Sequence, residues 1–260
     1  MKGRMISGLM ITSEDALANR SFHTGEVNLK NMDAIQSTTR KTFDAQLKEL
    51  EQQLLKMGSF VEGMLDSSVQ ALIRQDSELA DEVIRRDDVA DNMDLEIETA
   101  CMRLLALQQP MSKDLRIIST ALKIITDLER IGDYSVDIAK AAKLLSGEPY
   151  FKPLIDIPRM AELTKKMLRD ALQAFVDRSI EKAIQVCKDD DAVDQLNKGL
   201  LEELMDYMRK DPKLIMQSVH FILISRYLER IADHVTNVAE RIVYMETGEL
   251  RQIVESHKGA

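Results

Sequence analysis

Residues 127–140, DLERIGDYSVDIAK, reappear at 227–240 as YLERIADHVTNVAE, one hundred positions on, with six of 14 places identical. Two further blocks repeat at an offset of 103: 64–74 (MLDSSVQALIR) over 167–177 (MLRDALQAFVD), and 83–91 (VIRRDDVAD) over 186–194 (VCKDDDAVD). Three blocks in the same order, with the small drift that loop insertions produce, define a tandem duplication. Whatever the chain folds into, it must build the same plan twice.

That plan is helical. From Phe43, apolar residues recur at helical spacing through Leu47, Leu50, Leu54, Met57, Val61, Leu65, Val69 and Leu72, which predicts an amphipathic helix over about 38–75. A second is expected over 77–107, with Ser77 as N-cap and Pro110 beyond its end. Ser112 and Asp114 open a third, ending near 145 with Gly147 as a C-terminal cap. Gly147, Pro149, Pro153 and Pro158 then interrupt the pattern. Beyond them helices read at 158–178, at 180–209 before the Asp211-Pro212 break, and at 213–246 with Gly248 as cap. The expected fold is all-α, two tandem three-helix bundles: a first repeat at 37–146, a linker at 147–157 and a second repeat at 158–247. Residues 1–36 lack a sustained apolar period and are expected to be a mobile N-terminal extension; 248–260 form a C-terminal tail. With 10 Gly and 5 Pro in 260 residues, the chain lacks the turns of an all-β fold.

Composition removes other classes. A formal charge of −9 gives no basic footprint for a phosphate backbone, so nucleic acid is not an expected partner. Cys101 and Cys187 fit no CxxC spacing, as in a reduced, intracellular protein. Lys2 and Arg4 precede an apolar stretch too short for a secretory signal, which runs into Ser13-Glu14-Asp15. No stretch approaches the roughly 18 to 20 apolar residues that span a bilayer. A soluble, cytoplasmic protein without membrane insertion is expected.

Both copies retain acids. Asp87 and Asp91 match Asp190 and Asp194; Glu129 and Asp133 match Glu229 and Asp233. Residues four apart share a helix face, so each repeat carries two carboxylate ladders, one on its second helix and one on its third. Asp137 extends the first repeat's ladder, and Asn237 replaces it in the second. Like charges at this spacing repel, and carboxylates at a core margin need a counter-charge. Oxygen-only clusters suit hard cations such as Mg²⁺, Mn²⁺, Ca²⁺ or iron. Against this stands the plainer reading, a solvated face whose acids are neutralised by Arg130 and Arg230 as surface ion pairs. His23, His220, His234 and His257 do not match between copies, and no nucleotide cradle, nucleophile elbow or HExxH motif occurs. No catalytic residue is assigned.

At LERIGD and LERIAD, each on the third helix of its repeat, the chain resembles the PhoU family of phosphate-uptake regulators, over about residues 38–247. The segment TRKTFDAQLKEL at 39–50 looks like the family's usual start, and Met32 is a candidate alternative start. The resemblance implies a non-enzymatic, all-α protein that acts with the ATPase subunit of the high-affinity phosphate ABC transporter and with the phosphate-sensing histidine kinase. It further implies restraint of uptake and of the phosphate-starvation regulon when phosphate is plentiful, and leans toward a homodimer. It also implies metal clusters, of iron or zinc in some members and Mg²⁺ or Mn²⁺ in others. Carried over, the ligands are Asp87, Asp91, Glu129, Asp133 and Asp137, then Asp190, Asp194, Glu229 and Asp233. Asn237 weakens the second set, since an amide brings no charge. A metal-dependent phosphoester enzyme and a plain helical scaffold are the alternatives.

Overall fold

The computed structural model describes residues 13–250 and 253, with side chains from Arg40 onward except Gln108. Residues 1–12 of the expected extension, and 251, 252 and 254–260 of the tail, His257 among them, lie outside the described residues. Seven helices follow in order: α1 Ser13–Arg74, α2 Ser77–Arg85, α3 Asp87–Gln108, α4 Ser112–Leu145, α5 Asp156–Asp177, α6 Ile180–Lys210 and α7 Ile215–Thr247. There is no strand among the described residues.

The chain divides into two units, Met1–Gln46 and Leu47–Ala260. In the first, Arg40 pairs with Asp44 at 3.0 Å and lies over the Phe43 ring. The second holds both repeats. One bundle comprises the C-terminal part of α1 with α2, α3 and α4; the other comprises α5, α6 and α7. The first helices of the two repeats meet, as do the third. Ion pairs joining Glu51 to Arg178, Glu62 to Arg169 and Asp66 to Lys165 run in opposite order along α1 and α5, so these helices are antiparallel. Arg116 Nε donates to the Met245 carbonyl, Asp127 meets His234 and Tyr134 stacks on Tyr227, so α4 and α7 are antiparallel too. The second helices flank this centre, α3 on α4 and α6 on α7. A pseudo-two-fold axis relates the halves.

Apolar residues at helical spacing fill the centre. Leu50, Leu54, Met57, Val61, Met64, Leu65 and Leu72 of α1 are all at most 1% exposed, as are Ile118, Ile124, Leu128 and Ile131 of α4. Buried hydroxyls close onto their own helices: Ser135 Oγ donates to the Ile131 carbonyl, Thr164 Oγ1 to Met160 and Thr236 Oγ1 to Ala232. These three hydroxyls thus enter the core satisfied, whereas the buried hydroxyls of Thr120 and Ser218 find no hydrogen-bond partner among the described residues. Cys101 and Cys187 are buried free thiols, each pushed up to about 12 chiefly by burial.

Four local expectations need correction. Helix α1 begins at Ser13 rather than near 38: the apolar period marks where a helix is buried, and with no Pro before Pro110 nothing sterically stops the backbone ladder. The helix expected over 77–107 is broken at Arg86, whose N–H is shared between the Glu82 and Val83 carbonyls. Its N-cap is Asp76, in extended conformation, whose Oδ1 accepts from the Leu79 N–H at 3.0 Å. Ser77 instead pairs its hydroxyl with that of Ser146. Gly147 does not take the left-handed cap conformation; the end of α4 is closed from outside, by Gln75 Nε2 donating to the Leu145 and Glu148 carbonyls. Gly248 does cap α7, with φ of 76° and its N–H on the Tyr244 carbonyl.

The connection between the repeats is strapped down. Tyr150 Oη donates to the Leu72 carbonyl at 2.6 Å, the Phe151 N–H to Gln217 Oε1 at 2.9 Å, and Lys152 Nζ to Glu203 at 2.5 Å. The Tyr150 and Phe151 rings pack on Phe221, and Phe151 also on Tyr207.

Candidate functional site

Each acid cluster lies where a second helix runs along a third. In the first repeat, Asp87 is in the opening turn of α3, where its charge complements the helix N-terminus. Burial raises its pKa, and the charges of Asp133 and Asp91 raise it further. Glu129 on α4 is raised by burial and then by Asp133, with Arg130 opposing and Asp91 and Asp94 adding. Charges on two helices acting on one another place Asp87, Asp91, Glu129 and Asp133 in one electrostatic cluster. Asp137 lies one turn further along, ion-paired with Lys140 at 3.3 Å; Tyr227 on the opposite repeat is raised by burial and then by the charge of Asp137.

The second cluster is deeper. Asp190 is 1% exposed, whereas its counterpart Asp87 is only partly buried; Asp194 is partly buried where Asp91 is exposed. Glu229 is raised by burial and by Asp233 and Asp194, against the lowering charges of Arg226 and Arg230. Its Oε1 accepts from Arg226, while its Oε2 is sealed from solvent and accepts no hydrogen bond among the described residues. Asn237 does not join this cluster: its amide donates to Asp127 at 3.2 Å, across the seam between α4 and α7.

Arginines already stand beside the ladders. Arg130 lies 2.6 Å from Asp133 and 3.4 Å from Glu129, and Arg230 lies 3.5 Å from Asp233. Among the described residues no group of three or more His, Cys, Asp or Glu side chains is drawn together tightly enough to hold a metal ion. The donor type and surplus negative charge fit a hard cation; the side-chain positions hold guanidinium groups.

Two sets of residues escaped the sequence reading. Asp94 lies seven residues after Asp87 and three after Asp91, on the same helix face, and its pKa is raised by burial, Glu98 and Asp91. Its counterpart Asn197 is no acid and bonds Ser225, so a search for what both copies share passes over it. Asp127 and His234 face each other at 2.9 Å across the seam, with Tyr134 beside the imidazole. His234 matches Tyr134 in the other repeat, and only the fold reveals its partner.

Fold and site together define an all-α protein of two duplicated three-helix bundles with an acidic cluster in each, and no described helix is long and apolar enough to cross a membrane. The PhoU domain model matches residues 54–142 and again 157–242, and the chain belongs to the PhoU family. The chain thus carries two copies of the domain. Among its relatives, a phosphate-specific transport system accessory protein PhoU homolog of Clostridium acetobutylicum is 45% identical over 81% of this chain and 96% of its own length. One from Aquifex aeolicus is 42% identical over 79% of this chain and 93% of its own. The crystal structure of PhoU from Pseudomonas aeruginosa superposes with a TM-score of 0.77 at 37% identity, covering 80% of this chain and all of that one. These relatives are accessory proteins of phosphate transport, and the family is accessory and regulatory rather than enzymatic.

Proposed function

We propose that this protein is a negative regulator of phosphate uptake and of the phosphate-starvation regulon. It acts in the cytoplasm, as a homodimer, with the ATPase subunit of the high-affinity phosphate ABC transporter and with the phosphate-sensing histidine kinase. The observation that carries the reading is the match, over four-fifths of the chain, to accessory proteins of phosphate-specific transport. Deleting the gene in its own host and measuring alkaline phosphatase in phosphate-rich medium tests it. High expression is expected; unchanged repression would overturn it.

The acid clusters extend the proposal to metal. Asp87, Asp91, Glu129 and Asp133, with Asp137 one turn on, would hold iron, zinc, Mg²⁺ or Mn²⁺ in the first repeat; Asp190, Asp194, Glu229 and Asp233 would do so in the second. A bound cation supplies positive charge and a fixed ligand geometry. The protein's part is to hold carboxylates of two helices partly buried and against their mutual repulsion, and burial first, then repulsion, raises the pKa values of Asp87, Glu129 and Glu229. Purified Glu129→Ala/Asp133→Ala protein should lose metal content and cation-induced stabilisation in the first repeat while remaining folded; unchanged metal content would remove that assignment. The arginine pairs favour a second reading, a helical scaffold whose acids are internally neutralised. Indifference of stability and partner binding to every divalent cation would select it.

A further inference from the structure

The two ion pairs at the centre of the α1–α5 contact are images of one another under the duplication. Glu62 matches Lys165 and Asp66 matches Arg169, each 103 positions on. In the fold, Glu62 meets Arg169 at 2.8 Å and Asp66 meets Lys165 at 2.5 Å. The positions obey the pseudo-two-fold axis; the charges do not. At these four positions the first repeat contributes acids and the second bases, and Lys165 also pairs with Glu162 of its own helix at 2.7 Å.

Side-chain bulk differs between the copies as well. A Cβ at Gly58 would lie 2.6 Å from Leu172 Cδ1, so the first repeat's hollow receives the second's bulk. The image positions hold Ala161 in the second repeat and Val69 in the first, so the two copies differ in bulk at both places. At the α4–α7 seam, Asp127 bonds His234 and Asn237, whereas the image of the Asp127–His234 contact is the Tyr227–Tyr134 stack. Three independent places along the contact have thus diverged in complementary senses.

We infer that the inner face of each repeat is an interaction surface built for the other repeat and against a copy of itself, with Glu62, Asp66, Lys165 and Arg169 as its specificity residues. A first repeat laid on a first repeat would set Glu62 against Asp66 twice; a second on a second would set Lys165 against Arg169. Discrimination of this kind rests as much on the repulsion in the wrong pair as on attraction in the right one. A single pair of this exposure has little weight: Asp66 and Arg169 keep about half their side-chain surface in water. Inverting two at once is what separates self from partner. A duplicated chain needs such a rule, because two copies with matching faces would otherwise associate through the wrong halves.

The test exchanges the charges in the full-length protein. Lys165→Glu with Arg169→Asp gives the second repeat the first's charges and imitates a first-on-first contact. Glu62→Lys with Asp66→Arg imitates second-on-second. The four-site variant exchanges the rule between repeats. In low salt, each two-site variant should melt about 5 °C or more below the parent, and the four-site variant within about 2 °C of it, a double-mutant-cycle coupling that shrinks in 1 M salt. A four-site variant whose loss equals the sum of the two separate losses would overturn the inference. Should a two-site variant fail to fold, the cycle is run on Glu62→Lys and Arg169→Glu alone, with the same criterion.

Discussion

At the scale of the residue, Glu229 shows how a carboxylate is held against its preference. Burial and the neighbouring Asp233 and Asp194 raise its pKa above the ordinary 4.5, so the folded state takes up a proton more readily than the unfolded chain. The sign follows by linkage: the folded protein is favoured below the ordinary value, and that advantage is lost as pH rises through the folded pKa. At neutral pH the charged Glu229 therefore opposes folding. Without divalent cations, Glu229→Gln should stabilise the protein slightly, by about 0.3–0.5 kcal/mol on the scale of like-charged helix neighbours. The gain in melting temperature should vanish near pH 4. If cations stabilise the parent, that stabilisation should shrink in the variant. The ladder residues were legible in the sequence because both copies keep them. Asp94 was not, because its image Asn197 breaks the repeat, and the Asp127–His234 pair was not, because it joins residues 107 apart that match nothing in each other.

Elements were read by periodicity and by caps, and the two signals differ in kind. The apolar period places α4, α5, α6 and α7 to within a few residues, because burial on one face imposes it. Helix ends depend on single hydrogen bonds, and these are where the expectations failed. Asp76 and Ser77 are both good N-cap residues, and only backbone conformation selects Asp76. Asp76→Ala should cost about 1 kcal/mol in chemical denaturation, whereas Ser77→Ala should cost less, since it loses only the exchange with Ser146. Gly147 lacks the cap role because Gln75, distant in sequence, satisfies the last carbonyl of α4, that of Leu145. Tertiary capping of this kind leaves no local signature.

At the scale of the whole molecule, the expected linker is a clasp. The helices do break between Leu145 and Asp156, but Tyr150, Phe151 and Lys152 tie the connection to α1, α6 and α7. Tyr150→Phe removes the 2.6 Å bond to the Leu72 carbonyl and leaves that group only the longer bond from the Gln75 N–H at 3.3 Å. It should lower stability by about 1 kcal/mol and raise hydrogen exchange at the linker first. The duplication itself, and with it the all-α architecture, was legible because matching helices must bury matching faces. The complementary charges of Glu62, Asp66, Lys165 and Arg169 were not, since their meaning lies in which copy touches which.

The antiparallel seam sets both acidic ladders at the same height. Asp127 meets His234 and Tyr134 meets Tyr227, so Glu129–Asp133 and Glu229–Asp233 straddle the axis at mid-length of α4 and α7. Helices of 34 and 33 residues extend roughly 25 Å to either side of that level. Helices α4 and α7 therefore carry their acids midway between their ends. A twist of about 5° there would carry the helix tips by about 2 Å, so a partner gripping the tips would feel ionic events at a centre it never touches.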